Sequence, residues 1–318
     1  MPKILLDCDP GIDDAIMLLY LAAAVHAGEA ELVAAGTVHG NIDSLTGALN
    51  TLRLLELTGV TGVPVAIGCA RPLAQDVHLA LNVHGTVGLG GTHPAPPAGS
   101  PVADVSAPEQ IVRLARRHPG ELTLLAVGPL TNLAVALLLE PRLPGLIREV
   151  VVMGGAFGHP GNITTHAEAN IWHDPEAADL VLAAAWPLVL VPLDATHPTA
   201  VDGGWLDRVA EANTEAGRAA SAILDFYVKV YTPFLGYRGC VIHDPLAAMV
   251  AVDPGGMGGA YVARPVQVEL RGERTRGTTL WDARAVPYAS ARPAVKVLTA
   301  CDVPAFQKRL LSAVLSLP

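Results

Sequence analysis

The strongest constraint on this chain is the segment Asp7-Cys8-Asp9-Pro10-Gly11-Ile12-Asp13-Asp14, in which four carboxylates fall within eight residues. Apolar runs flank the segment at residues 4–6 and 15–19. These runs predict a buried strand and a buried helix, and the Pro-Gly pair predicts the turn between them. Open α/β sheets bind ligands at the carboxyl ends of their strands, so the turn predicts a site that is crowded with carboxylates.

Carboxylates this close together repel one another unless some of them are protonated or a cation lies among them. Hard oxygen ligands grouped in this way suit Ca²⁺ or Mg²⁺. The alternative is that Asp13 and Asp14 only cap the helix, because anions are favoured in a first helical turn. Capping accounts for two of the four carboxylates, so the segment favours a metal site.

The composition is that of a protein with a large core, because 51% of the 318 residues are hydrophobic and 16% are charged. A net charge of −9 argues against nucleic acid or an anionic membrane surface as the main partner. No secretory signal is visible at the start, no convincing membrane span is found, and the four cysteines lie far apart. We therefore expect a cytoplasmic protein with reduced thiols and no membrane partner.

Apolar runs alternate with helical patterns along the rest of the chain. The predicted helices cover residues 44–58 and 108–118, and further strands are predicted at 31–38, 63–68, 122–127, 149–153 and 188–193. This alternation predicts an α/β fold with an open, mostly parallel, mixed central sheet flanked by helices. No linker or repeat divides the chain, so we expect a single domain over residues 1–318, with an insertion near residues 200–240.

Polar segments follow several of the apolar runs, where such a sheet would place its site. Residues 127–132 contain a Gly-Pro turn, residues 161–170 are rich in Asn, and His243-Asp244-Pro245 precedes an apolar helix. Each segment also has a plainer interpretation as a turn or helix start, and for Asp244 alone an N-cap followed by Pro is the favoured one. A His beside an acid also suits acid–base chemistry or metal binding. Asp174, before Pro175, is interpreted as a helix cap and not as a ligand.

Taken together, the segments resemble the inosine-uridine preferring nucleoside hydrolase family. The resemblance covers about residues 3 to 310, and its most specific part is the Asp-rich segment, residues 7–15. The further matches, in order, are His39-Gly40-Asn41, Val83-His84-Gly85, residues 127–132, Met153-Gly154-Gly155, Ala167-Glu168-Ala169-Asn170 and Ile242-His243-Asp244-Pro245. One departure is Ala169, where the family commonly has an aromatic or larger apolar residue.

The resemblance implies a bound Ca²⁺ and a role for each matching residue. The implied calcium ligands are Asp9, Asp14, Asp244 and the backbone carbonyl of Val127. Asp9 is also the implied general base, and His243 is the implied acid for the leaving group. The implied ribose-binding residues are Asp13, Asn41, Asn162, Glu168 and Asn170, and the implied nucleobase contacts are His84 and His243.

The activity that the resemblance implies is calcium-dependent hydrolysis of the N-glycosidic bond of ribonucleosides, which releases ribose and a free purine or pyrimidine for salvage. It also implies a homo-oligomer, either a dimer or a tetramer. Tyr227 and Tyr231 lie one turn apart on a predicted helix and resemble the residues of members that accept both purines and pyrimidines. The alternative is that the two rings only pack in the core.

Two other classes of protein compete with this interpretation. A haloacid-dehalogenase-like phosphatase also has Asp-x-Asp after a strand, but it needs a Thr or Ser shortly after the turn, where this chain has Ile12-Asp13-Asp14. A non-catalytic, calcium-dependent ribose- or nucleoside-binding protein could lose Asp9 or His243, and this chain has both.

Overall fold

The computed structural model describes residues 1–92, 95–102, 104–284 and 289–318. In it, the apolar runs that predict strands do form strands. The ends of the predicted strands differ from the observed ends by no more than two residues. The strands are β1 (Lys3–Cys8), β2 (Glu31–Thr37), β3 (Val65–Ile67), β4 (Leu122–Ala126), β5 (Glu149–Met153), β6 (Leu188–Val191), β7 (Val201–Asp202), β8 (Gly239–Cys240), β9 (Ala260–Arg264), β10 (Gln267–Val268), β11 (Thr279–Leu280) and β12 (Val295–Ala300).

The helices alternate with the strands over most of the chain, and the helices predicted at residues 44–58 and 108–118 are found as α2 and α4. The helices are α1 (Ile12–His26), α2 (Ser44–Leu57), α3 (Leu81–His84), α4 (Ala107–Arg117), α5 (Thr131–Leu139), α6 (Ala169–His173), α7 (Pro175–Ala183), α8 (Leu193–Thr196), α9 (Gly203–Ala210), α10 (Glu215–Leu235), α11 (Asp244–Val252) and α12 (Val303–Ser316). The segment near residues 200–240, predicted to be an insertion, contains α9 and the whole of α10. Among the described helices, none has the length and apolar character that a membrane span requires.

Eight strands form the central sheet, in the order β3-β2-β1-β4-β5-β6-β12-β9. Seven of them run parallel, and β9 pairs antiparallel with β12. Two separate pairs, β7 with β8 and β10 with β11, are antiparallel. The predicted fold class, an open and mostly parallel mixed sheet with helices on both faces, is confirmed.

The order of the strands places a crevice beside β1. After β1 the chain adds β2 and β3 on one side, and it then returns to add β4 on the other side of β1. The connections that leave β1 and β4 therefore diverge, and ligands bind at such a switch point in open α/β sheets. The Asp-rich turn follows β1, and Val127 follows β4.

Helix α1 fixes the depth of the Asp-rich turn. Its side chains are buried from Ile12 to Ala24, and it packs against α2, α10, α11 and α12. A helix that is apolar on all sides has to be buried in this way. Because Asp13 and Asp14 lie in the first turn of α1, both carboxylates are carried below the surface, with 6% and 0% of their area exposed.

Candidate active site

The carboxyl end of β1 and the start of α11 bring three aspartates together. Oxygens of Asp13, Asp14 and Asp244 lie within 4.8 Å of one another, and all three residues are buried. Helix α11 begins at Asp244, and no side chain makes a capping hydrogen bond at this end of the helix. The plainer interpretation of Asp244 as an N-cap is therefore wrong, because the side chain lies in the acidic cluster.

Asp14 contributes to the turn, as the capping alternative predicts, and Asp13 accepts backbone hydrogen bonds in the first turn with only part of its carboxylate. The Asp14 carboxylate accepts from the backbone N–H of Gly11 at 3.0 Å, from Asn41 Nδ2 at 3.0 Å and from the Asp9 N–H at 3.3 Å. Oδ1 of Asp13 is buried and has no hydrogen-bond partner among the described residues. The capping alternative therefore leaves Oδ1 of Asp13 unexplained.

Asp9 lies beside this cluster and is held on one side only. Its Oδ2 accepts from the backbone N–H of Asn41 at 2.7 Å, and its Oδ1 is buried without a partner among the described residues. Gly128 packs against this carboxylate so closely that a Cβ there would lie 2.8 Å from Oδ1. A Cβ on Gly40 would overlap with Oδ2. These two glycines allow the backbone of neighbouring loops to enclose the Asp9 carboxylate.

Burial makes the charged forms of these carboxylates unfavourable. Burial, followed by repulsion from Asp14, raises the pKa of Asp13 to about 8 and holds the pKa of Asp9 well above its usual range. The pKa of Asp244 is also raised well above its usual range, by burial and then by Asp13, and burial raises the pKa of Asp14 to about 6. A cation among these oxygens would favour the charged forms, and an all-oxygen set suits a hard divalent ion.

The carbonyl of Val127 is fixed by a residue that the sequence assigned to the ribose. Nδ2 of Asn170 donates to this carbonyl at 2.8 Å and to the carbonyl of Met153 at 3.2 Å. Asn170 therefore joins the loops that follow β4 and β5. The structure brings the Asn170 amide and the Val127 carbonyl into direct contact.

Glu168 and Asn162 organise the start of α6. The Glu168 carboxylate caps the helix by accepting from the N–H groups of Asn170 at 2.8 Å and Ile171 at 3.0 Å, and it also accepts from Gly155 at 3.0 Å. Burial raises its pKa to about 6. Asn162 is exposed, and its Oδ1 accepts from the N–H of Ala169 at 2.9 Å. Ala169 differs from the larger residue that is common in the family, but the contact with Asn162 is made by its backbone N–H and does not depend on its side chain.

His84 lies over the start of α1. Its Nδ1 accepts from the backbone N–H of Ile12 at 3.0 Å, so the ring hydrogen of the neutral imidazole is on Nε2. The ring lies 5.4 Å from the Tyr227 ring, measured between centroids, and burial lowers its pKa to about 3. His84 is therefore a neutral hydrogen-bond donor beside the acidic cluster.

His243 contacts the two tyrosines that the sequence placed on one face of a helix. Its Nε2 lies 3.2 Å from the Tyr231 hydroxyl, and the rings of Tyr227 and Tyr231 meet edge to face at 4.8 Å. Tyr227 also packs in the hydrophobic core, as the alternative interpretation of the pair predicts, and contact of the two rings with substrate stays a prediction. Burial lowers the pKa of His243 to about 3, which leaves the imidazole neutral.

Two further residues support the site, and the sequence gave them no role. Asn132 donates to Asp7 Oδ1 at 2.7 Å and accepts from the N–H of Cys69 at 2.8 Å, which ties β1 to the loop after β3. Asn132 belongs to a motif that the sequence singled out, so a signal existed. Thr196, whose hydroxyl lies 2.8 Å from Nδ1 of His243, belongs to no motif.

Asp174 accepts from the N–H of Ala177 at 3.1 Å, which confirms its predicted capping role.

Comparisons with known proteins give relatives over nearly the whole chain. The family model described as inosine-uridine preferring nucleoside hydrolase matches residues 4–308. The inosine-uridine preferring nucleoside hydrolase of Crithidia fasciculata is 39% identical over 287 residues and covers 89% of each chain. The protein of the same name from Leishmania major is 41% identical over 285 residues, which cover 89% of this chain and 88% of that protein.

Two solved structures have the same fold at moderate sequence identity. A plant nucleoside hydrolase superposes with a TM-score of 0.92 at 31% identity, covering 99% of each chain. A purine-preferring ribonucleoside hydrolase from Gardnerella vaginalis superposes with a TM-score of 0.89 at 30% identity, also over 99% of each chain. Because the family model and these relatives span nearly all of the sequence, the chain belongs to the inosine-uridine preferring nucleoside hydrolase family.

Proposed function

We propose that this protein hydrolyses the N-glycosidic bond of ribonucleosides with the help of a bound Ca²⁺, and that it releases ribose and a free nucleobase. The observation that carries the proposal is the buried set of aspartates, in which Asp9 and Asp13 each have a carboxylate oxygen without a partner among the described residues. Buried carboxylates without partners are costly, and a cation that they bind offsets this cost.

The residues that would hold the ion are Asp9, Asp14, Asp244 and the Val127 carbonyl. Asp13 lies within the same cluster and is a further oxygen donor. A bound divalent cation lowers the pKa of a coordinated water and orients that water for attack. The donor set contains no thiolate or imidazole, which favours Ca²⁺ over zinc.

Asp9 is placed to act as the general base. The Asn41 N–H fixes Oδ2, so the carboxylate has a set orientation, and Oδ1 is left to accept a proton from the attacking water. The Asn41 amide also binds Asp14, so a single loop residue aligns the proposed base and a proposed ligand. In this arrangement Oδ2 positions the Asp9 carboxylate and Oδ1 is the oxygen proposed to accept the proton.

The sugar carries positive charge when the bond to the base breaks, because the transition state resembles an oxocarbenium ion. The acidic cluster supplies negative charge at this point, and such preorganised charge is a large part of catalysis. The polar groups proposed to bind the ribose hydroxyls are Asp13, Asn41, Asn162, Glu168 and Asn170.

The leaving base requires stabilisation of the opposite sign. A neutral His243 can donate a hydrogen bond to the departing base, and Tyr227 and Tyr231 lie beside it to position that base. We propose that His84 Nε2 makes a second contact to the base. With two tyrosines at this place, we propose purine and pyrimidine nucleosides as substrates, with inosine and uridine among them, in a salvage role.

Release of free ribose from a panel of inosine, adenosine, guanosine, uridine and cytidine tests the proposal. We expect ribose and free base in equal amounts from inosine and uridine in the presence of Ca²⁺. Binding of nucleosides without release of ribose would instead support the calcium-dependent binding protein, and release of phosphate from a phosphate monoester would support the phosphatase.

A further inference from the structure

A hydrogen bond joins two loops of the site that lie far apart in the sequence. The hydroxyl of Thr196 lies 2.8 Å from Nδ1 of His243, across a separation of 47 residues. Thr196 ends α8, which follows β6, and His243 immediately precedes α11. The two residues are 0% and 4% exposed, so water does not compete freely for this bond.

The partners of His243 restrict both its orientation and its tautomer. Its second nitrogen, Nε2, lies 3.2 Å from the hydroxyl of Tyr231, so a rotation of the ring would break both contacts. A neutral imidazole has one nitrogen that donates and one that accepts. Among the described residues, the Thr196 side chain has the imidazole as its hydrogen-bond partner, and its hydrogen is therefore available for Nδ1.

We propose that Thr196 is a positioning residue for the leaving group: its hydroxyl donates to Nδ1 of His243 and keeps the ring hydrogen on Nε2. This inference rests on the proposed function, because the tautomer matters only if His243 donates a hydrogen bond to the base. The electrons of the broken bond pass to the base, while the hydrogen stays on the ring. The Nε2 hydrogen, which faces the Tyr231 hydroxyl at 3.2 Å in this structure, is then shared with the bound base, and that hydrogen bond grows stronger as negative charge develops on the base.

A neighbouring residue provides a matched control. The hydroxyl of Thr199 donates to the backbone carbonyl of Thr196 at 2.7 Å, and Thr199 is also fully buried. Thr199→Val removes a buried hydroxyl from the same segment and leaves the bond to His243 in place. Thr196→Ser keeps a hydroxyl, whereas Thr196→Val keeps the shape and leaves Nδ1 without a partner.

The experiment measures kcat for inosine and for p-nitrophenyl riboside, whose leaving group needs no hydrogen bond. For Thr196→Val we expect a loss of about 10- to 100-fold on inosine, the range for outer groups that orient a functional imidazole. The activated riboside should react at nearly the wild-type rate. Thr196→Ser should recover most of the inosine rate, and Thr199→Val should leave the ratio of the two rates unchanged.

A double variant tests whether Thr196 acts through His243. Thr196→Val combined with His243→Ala should be no slower on inosine than His243→Ala alone, because residues that act as one unit are not additive. Equal losses on both substrates, or additive losses in the double variant, would overturn the proposal. If His243→Ala slows inosine and Thr196→Val does not, the inference fails and the proposed function stands. If His243→Ala leaves inosine unaffected, the leaving-group role of His243 fails, and the inference fails with it.

Discussion

Tyr231 lies with its hydroxyl 3.2 Å from Nε2 of His243, and this contact connects α10 to the start of α11, where Asp244 lies. Tyr227 continues the connection, since it packs against Tyr231 and makes a hydrogen bond to Asp13, which offsets a small part of the rise that burial causes in the pKa of that carboxyl. The groups proposed for the leaving base and for the metal therefore lie in one contiguous array. An experiment on a residue proposed for the leaving base therefore has to show that the substitution does not act by disturbing the metal site.

The His243→Ala variant separates the two effects when its rates on inosine and on p-nitrophenyl riboside are compared. Inosine should be hydrolysed roughly 10²- to 10³-fold more slowly, the range for loss of one preorganised hydrogen-bond donor to developing negative charge. The p-nitrophenyl riboside should react at nearly the parent rate, because its leaving group is stable without help. Measured kcat values on the two substrates check this, and equal losses would mean that His243 acts through the geometry of the metal site or through stability.

Asp9→Asn removes the proposed proton acceptor and keeps the shape of the side chain. Loss of a general base costs about 10²- to 10⁴-fold, and weaker calcium binding should add to this loss. Ribose release should fall by several orders of magnitude, while circular dichroism reports an intact fold. Near-normal turnover by this variant at saturating calcium would exclude Asp9 as the base.

Gly128→Ala tests how precisely the Asp9 carboxylate is held. The added Cβ would lie 2.8 Å from Asp9 Oδ1 and 2.9 Å from Val38 Cγ1, so the carboxylate has to move. A displacement near 1 Å can cost about 10²-fold in rate, and we expect a loss of that order in kcat. Gly145→Ala is the control, because its Cβ would meet no atom within 4 Å, and it should retain full activity. A fully active Gly128→Ala variant would show that the carboxylate tolerates displacement.

The metal-free protein should lose stability as the pH rises above neutrality, because its buried carboxyl groups then have to ionise. Burial raises the pKa of Asp7 to about 7 and, together with Asp14, that of Asp13 to about 8. The stabilisation from such groups is complete below their unfolded pKa and is lost as pH rises through the folded pKa. His84 and His243 act oppositely, because burial lowers their pKa values to about 3. Their contribution is present above an unfolded pKa near about 6.5 and is lost as pH falls.

Stability in chelator should therefore be greater at about pH 6 than at about pH 8. Urea denaturation midpoints in EDTA at these two pH values provide the measurement. Saturating calcium should remove most of the fall, since the ion favours the charged carboxylates and stabilises the folded state that binds it. A midpoint in EDTA that rises toward the higher pH would contradict the burial of unpaired carboxylates.

The sequence was sufficient for features that local patterns determine. The predicted family, enzyme class and fold class are confirmed. The strand–turn–helix around the Asp-rich segment was predictable because apolar runs and a Pro-Gly pair specify it over fewer than twenty residues. The assignments of individual site residues, the single domain, the homo-oligomer and the cytoplasmic location stay predictions.

Features that depend on distant parts of the chain were not predictable. The contact of Thr196 with His243 spans 47 residues, and neither position signals the other. The place of β12 between β6 and β9 depends on a strand that forms more than one hundred residues after β6. The resemblance implies a ribose-binding role for Asp13, and this role stays a prediction. Its place next to Asp244, in the first turn of α1, depends on the distant start of α11 and was not predictable.

Calcium-dependent release of ribose is the most direct test of the account. The protein is stripped with a chelator, elemental analysis confirms the loss of metal, and ribose release from inosine is measured before and after addition of Ca²⁺. We predict one calcium per chain in the native protein, no measurable turnover after stripping, and full recovery of turnover with Ca²⁺. The bound ion should lie about 2.3 to 2.6 Å from its oxygen ligands. Full turnover by the stripped protein, or recovery with zinc but not with calcium, would contradict the account.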